Sequence, residues 1–282
     1  MKPFMKMKTD TSAAQSAPSS AVAPEPLRDL RRPATWHTRA RAALIHLGMA
    51  TLVAVAVAAM VFGLWFPGEY RRISGGTDLF ILIVGVDLCL GPLITLIIFD
   101  RRKPAAELRR DVAIVVALQL AALAYGLHLV SISRPVVVVL EKDRFRVVPA
   151  SATVENLLGP QSEYRAISLT GPTLMRTALP TDRAKQTSSP DLHGDGIGTR
   201  PALWQRWDDA ARAEALAHAK PLASLAARHP NQKPALDAAV AKTGRPAAAL
   251  VYIPMITFGE DWVALLDAAK GDVVGYAPLD GF

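Results

Sequence analysis

Asp87 has the most conspicuous chemistry in this chain. It stands near the middle of a long apolar stretch, Leu79–Phe99, and a carboxylate at that depth costs about 2.5–3.5 kcal/mol on membrane-insertion scales. Such a group normally faces the interior of a helical bundle or a partner. Candidate partners inside the chain are His46, Gln119, Tyr125 and His128. Three roles are open to it: a polar lock between helices, a contact with a partner's membrane helix, or proton or ion transport. Three helices with no second central acid offer little pathway for the last. Gly91 and Pro92 follow one turn later; proline kinks a helix, and glycine lets a neighbouring helix approach closely.

The other constellations are thinner. The chain has no G-x-S-x-G elbow, no phosphate-binding glycine loop and no H-E-x-x-H. Asp191-Leu192-His193-Gly194-Asp195-Gly196 has the alternating oxygens and the glycine that open a calcium loop. Ala202 occupies the position where such a loop ends on a bidentate glutamate, so a solvated loop is expected instead. His218 and His229 lie on a stretch interrupted by Pro221, with no third ligand in view. These readings imply neither catalysis nor a metal or cofactor.

The elements that must position Asp87 are three apolar runs, Ala42–Phe66, Leu79–Phe99 and Val112–Ile132. Each reaches the roughly 20 residues that one helix needs to cross a bilayer. The first run exceeds the length of a signal-peptide core, so despite its Ala-rich Val53–Ala59 it is read as an uncleaved anchor. Trp65, Phe66 and Tyr70 at its far end read as an interfacial aromatic belt. Basic residues flank the runs unevenly. Arg28, Arg31, Arg32, Arg39 and Arg41 precede the first, only Arg71 and Arg72 follow it, and Arg101, Arg102, Lys103, Arg109 and Arg110 separate the second from the third. Positive residues stay in the cytoplasm, which places the N-terminus inside and everything after Ile132 outside.

Charge follows the same division. Residues 1–132 hold 15 basic and 9 acidic residues, a net of +6, whereas residues 133–282 are close to neutral at +1. The excess therefore marks topology and contact with lipid, and argues against a nucleic-acid surface. Cys89, the only cysteine, lies in the second run, so neither a disulfide within the chain nor a cysteine-based zinc site is available.

The resulting organisation is a disordered cytoplasmic tail over 1–40, a three-helix membrane region over 41–133 (spans near 42–66, 78–99 and 111–132), and an outer α+β domain over 134–282. The tail is rich in Ser, Ala and Pro and buries too little apolar surface to order itself. In the outer domain, Val136–Leu140 and Phe145–Val148 read as a hairpin about Glu141-Lys142-Asp143-Arg144. Residues 149–200, rich in Pro, Gly and Ser, read in part as a surface loop, Pro201–His229 as a helix split at Pro221, and Asn231–Lys242 as a short helix. Ala247–Phe258 reads as a strand, and Trp262–Asp267 with Val273–Tyr276 as a second hairpin.

Four segments in order carry a resemblance: Ile45-His46-Leu47-Gly48, Trp65-Phe66-Pro67-Gly68, Gly85-Val86-Asp87-Leu88-Cys89-Leu90-Gly91-Pro92-Leu93, and Gln119-Leu120-Ala121-Ala122-Leu123-Ala124-Tyr125-Gly126. With Arg134-Pro135-Val136-Val137-Val138 and Asp143-Arg144-Phe145, they resemble the TfpX/TfpZ family of type IV pilin accessory proteins over roughly Arg41–Val148. The resemblance implies a non-catalytic inner-membrane factor that helps a cognate type IV major pilin accumulate or assemble, by binding it and in reach of the pilus assembly machinery. Two other classes stay open: a membrane enzyme that transfers a glycan to pilin, and a periplasmic ligand sensor. Asp87, Gly91, Pro92, His46, Gln119 and Tyr125 are the candidate partner-binding or bundle-lock residues.

Overall fold

The computed structural model describes residues 36–157, 168–178 and 197–282, apart from the side chains of 154–157. The tail up to residue 35 and the calcium-like segment 191–196 lie outside the described residues.

The first apolar run forms α1 (Trp36–Met60) and continues through a single π-helical turn, Val61–Trp65. Pro67 and Gly68, the latter at φ 60°, end it. A short helix α2 (Tyr70–Ile73) precedes Gly75, whose φ of 66° turns the chain into α3 (Gly76–Ile98). Pro104 precedes α4 (Ala105–Ser133), and Arg134 is already extended ahead of Pro135. All three long helices are long and apolar enough to cross a membrane; the chain is a membrane protein carrying an α+β domain. α3 is the central helix: α1 and α4 each pack along it but barely touch one another.

The C-terminal domain is built on one mixed sheet. Its strands are β1 (Pro135–Glu141), β2 (Arg144–Pro149), β3 (Thr173–Thr177), β4 (Trp204–Arg206), β5 (Lys220–Pro221), β6 (Leu250–Ile256), β7 (Trp262–Asp267) and β8 (Val273–Ala277). Their order is β4-β3-β1-β2-β6-β7-β8, with β5 added to β6. The β1/β3 and β2/β6 pairs are parallel and the rest antiparallel. The expected first hairpin turns tightly about Lys142-Asp143, with Lys142 at φ 59° and Glu141 opposite Arg144. β1 is buried along its whole length, as a central strand covered on both faces must be.

The alternation along the strands sorts the two faces. Val138, Leu140, Phe145, Val147, Ile253, Met255, Trp262, Ala264 and Leu266 form one cluster with Ala215 of α6 (Asp209–His218). On the other face, α7 (Leu222–Arg228) and α8 (Lys233–Thr243) supply Leu222, Leu225, Leu236 and Ala239 against Leu250, Tyr252, Val263 and Leu265.

Two readings change in detail. The 149–200 stretch, read only in part as a surface loop, also contains α5 (Ala150–Leu157) and strand β3. The helix read over Pro201–His229 starts only at Asp209: Pro201–Leu203 is a 3₁₀ turn and Trp204–Arg206 a strand paired with β3. Leu203 and Trp207, spaced like a helical stripe, are only half-buried, on either side of the buried Trp204. Trp204 donates its indole N–H to the Gly198 carbonyl at 2.7 Å, and the Trp207 ring lies 5.7 Å from that of Phe145. The helix starts where Asp208 accepts the Ala211 N–H at 2.9 Å, a contact that holds the Asp208 carboxyl below its ordinary value.

Candidate functional site

Asp87, Gly91 and Thr95 form a row at four-residue spacing along α3, on the side that meets α4 and α1. Gln119 of α4 reaches across, its amide nitrogen donating to the Asp87 carboxylate and to the Asp87 backbone carbonyl, both at 3.5 Å. Gly91 makes this possible: a Cβ there would sit 1.9 Å from the Gln119 amide nitrogen. Pro92 lies inside α3 and cannot donate to the preceding turn. On the other flank, His46 of α1 shares a 2.6 Å hydrogen bond with Thr95 rather than with Asp87. Tyr125 is 66% exposed and His128 is exposed; both turn away from the carboxylate, Tyr125 onto the rim of the groove between α3 and α4. Of the six candidate residues, the structure thus gathers Asp87, Gly91, Gln119 and His46 and leaves Pro92 flanking them and Tyr125 outside. Thr95 was missed, although its place in the four-residue row was readable.

Two grooves meet at Asp87 and Gln119. One, of about 740 Å³, runs along α3 and α4 past Leu82, Leu90 and Leu118. The other, of about 480 Å³, lies between α1 and α4 above α3; Ala42, Ile45, Met49 and Val53 form one wall, and Val112, Val116, Leu120 and Leu123 the other.

The two ends of the bundle differ. At the end carrying the sheet, Val61, Phe66 and Val130 close it with an apolar cluster. Phe66 is fully buried, and Tyr70 packs against the sheet cluster instead of lying in an interfacial belt. The reason is the segment that follows: Ile73 is 0% exposed inside the sheet's own core. The Tyr70 and Tyr276 hydroxyls are hydrogen-bonded, with ring centroids 5.3 Å apart, and burial pushes the Tyr70 phenol far above its ordinary pKa. Arg72 lies over the Trp262 ring at 5.4 Å and reaches Glu260 at 3.3 Å, and Lys242 meets Glu69 at 2.7 Å. The bundle is therefore held to the sheet twice, through the direct run from α4 into β1 and through the inserted 66–76 segment. At the opposite end Asp100 accepts from the Arg102 backbone at 3.0 Å and side chain at 2.8 Å, and lies 3.5 Å from Arg39. The Arg102 hydrogen bonds hold its carboxyl well below the usual range.

The sequence profile of the family described as fimbrial assembly protein FimB matches residues 34–75. A fimbrial assembly protein of serogroup E1 from Dichelobacter nodosus is 30% identical over 229 residues, covering 79% of this chain and 88% of the relative. A serogroup I protein of that organism matches to the same extent. The fimbrial assembly protein of its serogroups C1 and C2 is 38% identical over 104 residues, 37% of this chain and 79% of the relative. No solved structure matches the chain.

Proposed function

Because the chain belongs to the family of these fimbrial assembly proteins, we propose that it serves type IV pilus assembly as a non-catalytic inner-membrane factor that binds its cognate major pilin and protects it until it joins the fibre. The observation that carries this reading is the double attachment of bundle to sheet, with Ile73 buried in the sheet's core. A body of that kind engages a membrane-anchored subunit at two levels, helix and exposed head, without flexing between them. Binding of the folded subunit then stabilises it by mass action.

The orientation rests on charge. Arg39, Arg41, Arg101, Arg102, Lys103, Arg109 and Arg110 flank the end remote from the sheet, against Arg71, Arg72 and Arg134 near the sheet. By the loop-charge rule the remote end is cytoplasmic and the sheet domain periplasmic. From there the sheet domain is in reach of the pilus assembly machinery.

The test is removal of the gene in a piliated host. The cognate pilin's steady-state level and surface pili are expected to fall several-fold and to return on complementation. Undiminished pilin and normal pili would overturn the reading.

A further inference from the structure

Four polar side chains within the membrane helices line the cleft between α1 and α4: His46 and Thr95 on that side, and Asp87 and Gln119 at its border with the α3–α4 groove. In hydrocarbon, polar side chains sit in a bundle's interior, because lipid cannot satisfy them. Here that interior lacks an element. Both walls present residues at helical spacing, Ala42-Ile45-Met49-Val53 and Val112-Val116-Leu120-Leu123, and neither wall is packed against the other. The Asp87 carboxylate has its one hydrogen bond among the described residues at the 3.5 Å limit, on a single oxygen.

Charge decides the occupant. A second copy of this chain has no Lys or Arg within Ala42–Met60, Leu79–Ile98 or Val112–Val130 with which to meet Asp87, and residues 1–35 contain no apolar run long enough to span. We propose that the α1–α4 cleft seats one transmembrane helix of the partner subunit, recognised by a cation that this helix carries at the depth of Asp87. The guest completes a four-helix bundle with α3 as its floor, and small residues such as Ala42 and Ala50 let its backbone approach. The inference rests on the proposed function only in taking the guest from the pilin.

The full chain is reconstituted in phosphatidylcholine vesicles with labelled Leu/Ala transmembrane peptides that carry Lys, Asn or Leu at their centre, and association is read by energy transfer. The Lys peptide is expected to associate about tenfold more strongly than the Leu peptide. That preference is expected to vanish in Asp87→Asn, to fall in Ala50→Phe and Val116→Phe, which fill the cleft, and to persist in Ala122→Phe, which fills the other groove. Thermal unfolding of each variant establishes that it is folded. Equal association of the Lys and Leu peptides overturns the proposal. So does a preference abolished by Ala122→Phe alone, and so does energy transfer between labelled copies of the chain in place of transfer to the peptide. No peptide preference together with a pilin level that falls on gene removal overturns the cleft and leaves the proposed function standing. A clear preference with an unchanged pilin level detaches the cleft from pilin.

Discussion

The bundle's two ends are built to opposite rules. Near the sheet, apolar side chains close on each other: Val61, Phe66 and Val130 pack together, and Ile73 carries the inter-helix segment into the core of β1, β2, β6 and β7. In the remote half α1 and α4 stand apart, and the carboxylate, amide, imidazole and hydroxyl of Asp87, Gln119, His46 and Thr95 meet over the gap. One end is finished and the other unfinished. The difference indicates that rigidity has been placed where the two parts of the molecule join, and adaptability where a second polypeptide would enter.

The largest effect expected from breaking this contrast is at the finished end. Ile73→Asp puts an unpaired charge into a core that excludes water, and even Ile73→Ala is expected to remove about 2–5 kcal/mol. A large fall in thermal midpoint in detergent, with new protease cleavage between bundle and sheet, is the expected result. Ile81, 61% exposed on the lipid-facing side of α3, is the control, and Ile81→Ala is expected to change little.

Next comes Gly91→Leu. Its side chain takes the space of the Gln119 amide, and overpacking of this kind costs about 1–3 kcal/mol. Both the midpoint and the pilin level are expected to fall. Asp87 then separates lock from seat. If it served only to bind helices together, Asp87→Ala would lower the midpoint. With Asp87 as a seat for a guest helix, Asp87→Ala is expected to leave the midpoint unchanged and reduce the pilin level, with a milder loss in Asp87→Asn, which keeps a polar group at the same depth.

A smaller effect tracks pH. Burial favours the neutral Tyr70 phenol and raises its folded-state pKa. The stabilisation is therefore whole below the unfolded tyrosine value near pH 10 and is lost as pH climbs beyond it toward the folded value. Unfolding at rising alkaline pH is expected to show this loss in the wild type and less of it in the Tyr70→Phe/Tyr276→Phe pair. Smallest of all is Arg72→Ala, whose exposed contact with Glu260 is worth at most about 1 kcal/mol.

The spans were legible because twenty-odd apolar residues leave few alternatives, and the second hairpin because turn residues separate two β-rich runs. The joint was not. Tyr70 reads as part of an aromatic belt and Arg71 and Arg72 as loop charges, and nothing local says that Ile73 belongs to a core whose other members begin at Val138 and extend to Leu266. β3 and β4 are short and lie among Pro and Gly residues, so pairing rather than propensity makes them strands. Within the bundle, the residue types around Asp87 named its possible partners, but only geometry chose Gln119, assigned His46 to Thr95, and turned Tyr125 outward.

The most direct test is crosslinking in living cells with a photoreactive residue at Met49, on the cleft wall, compared with Ile114, which is 52% exposed and lines the other groove, between α3 and α4. A covalent adduct with the cognate pilin is expected from Met49, several-fold stronger than from Ile114 and diminished by Asp87→Ala. Equal pilin capture at both positions, or an adduct from Met49 only to another copy of this chain, would contradict it.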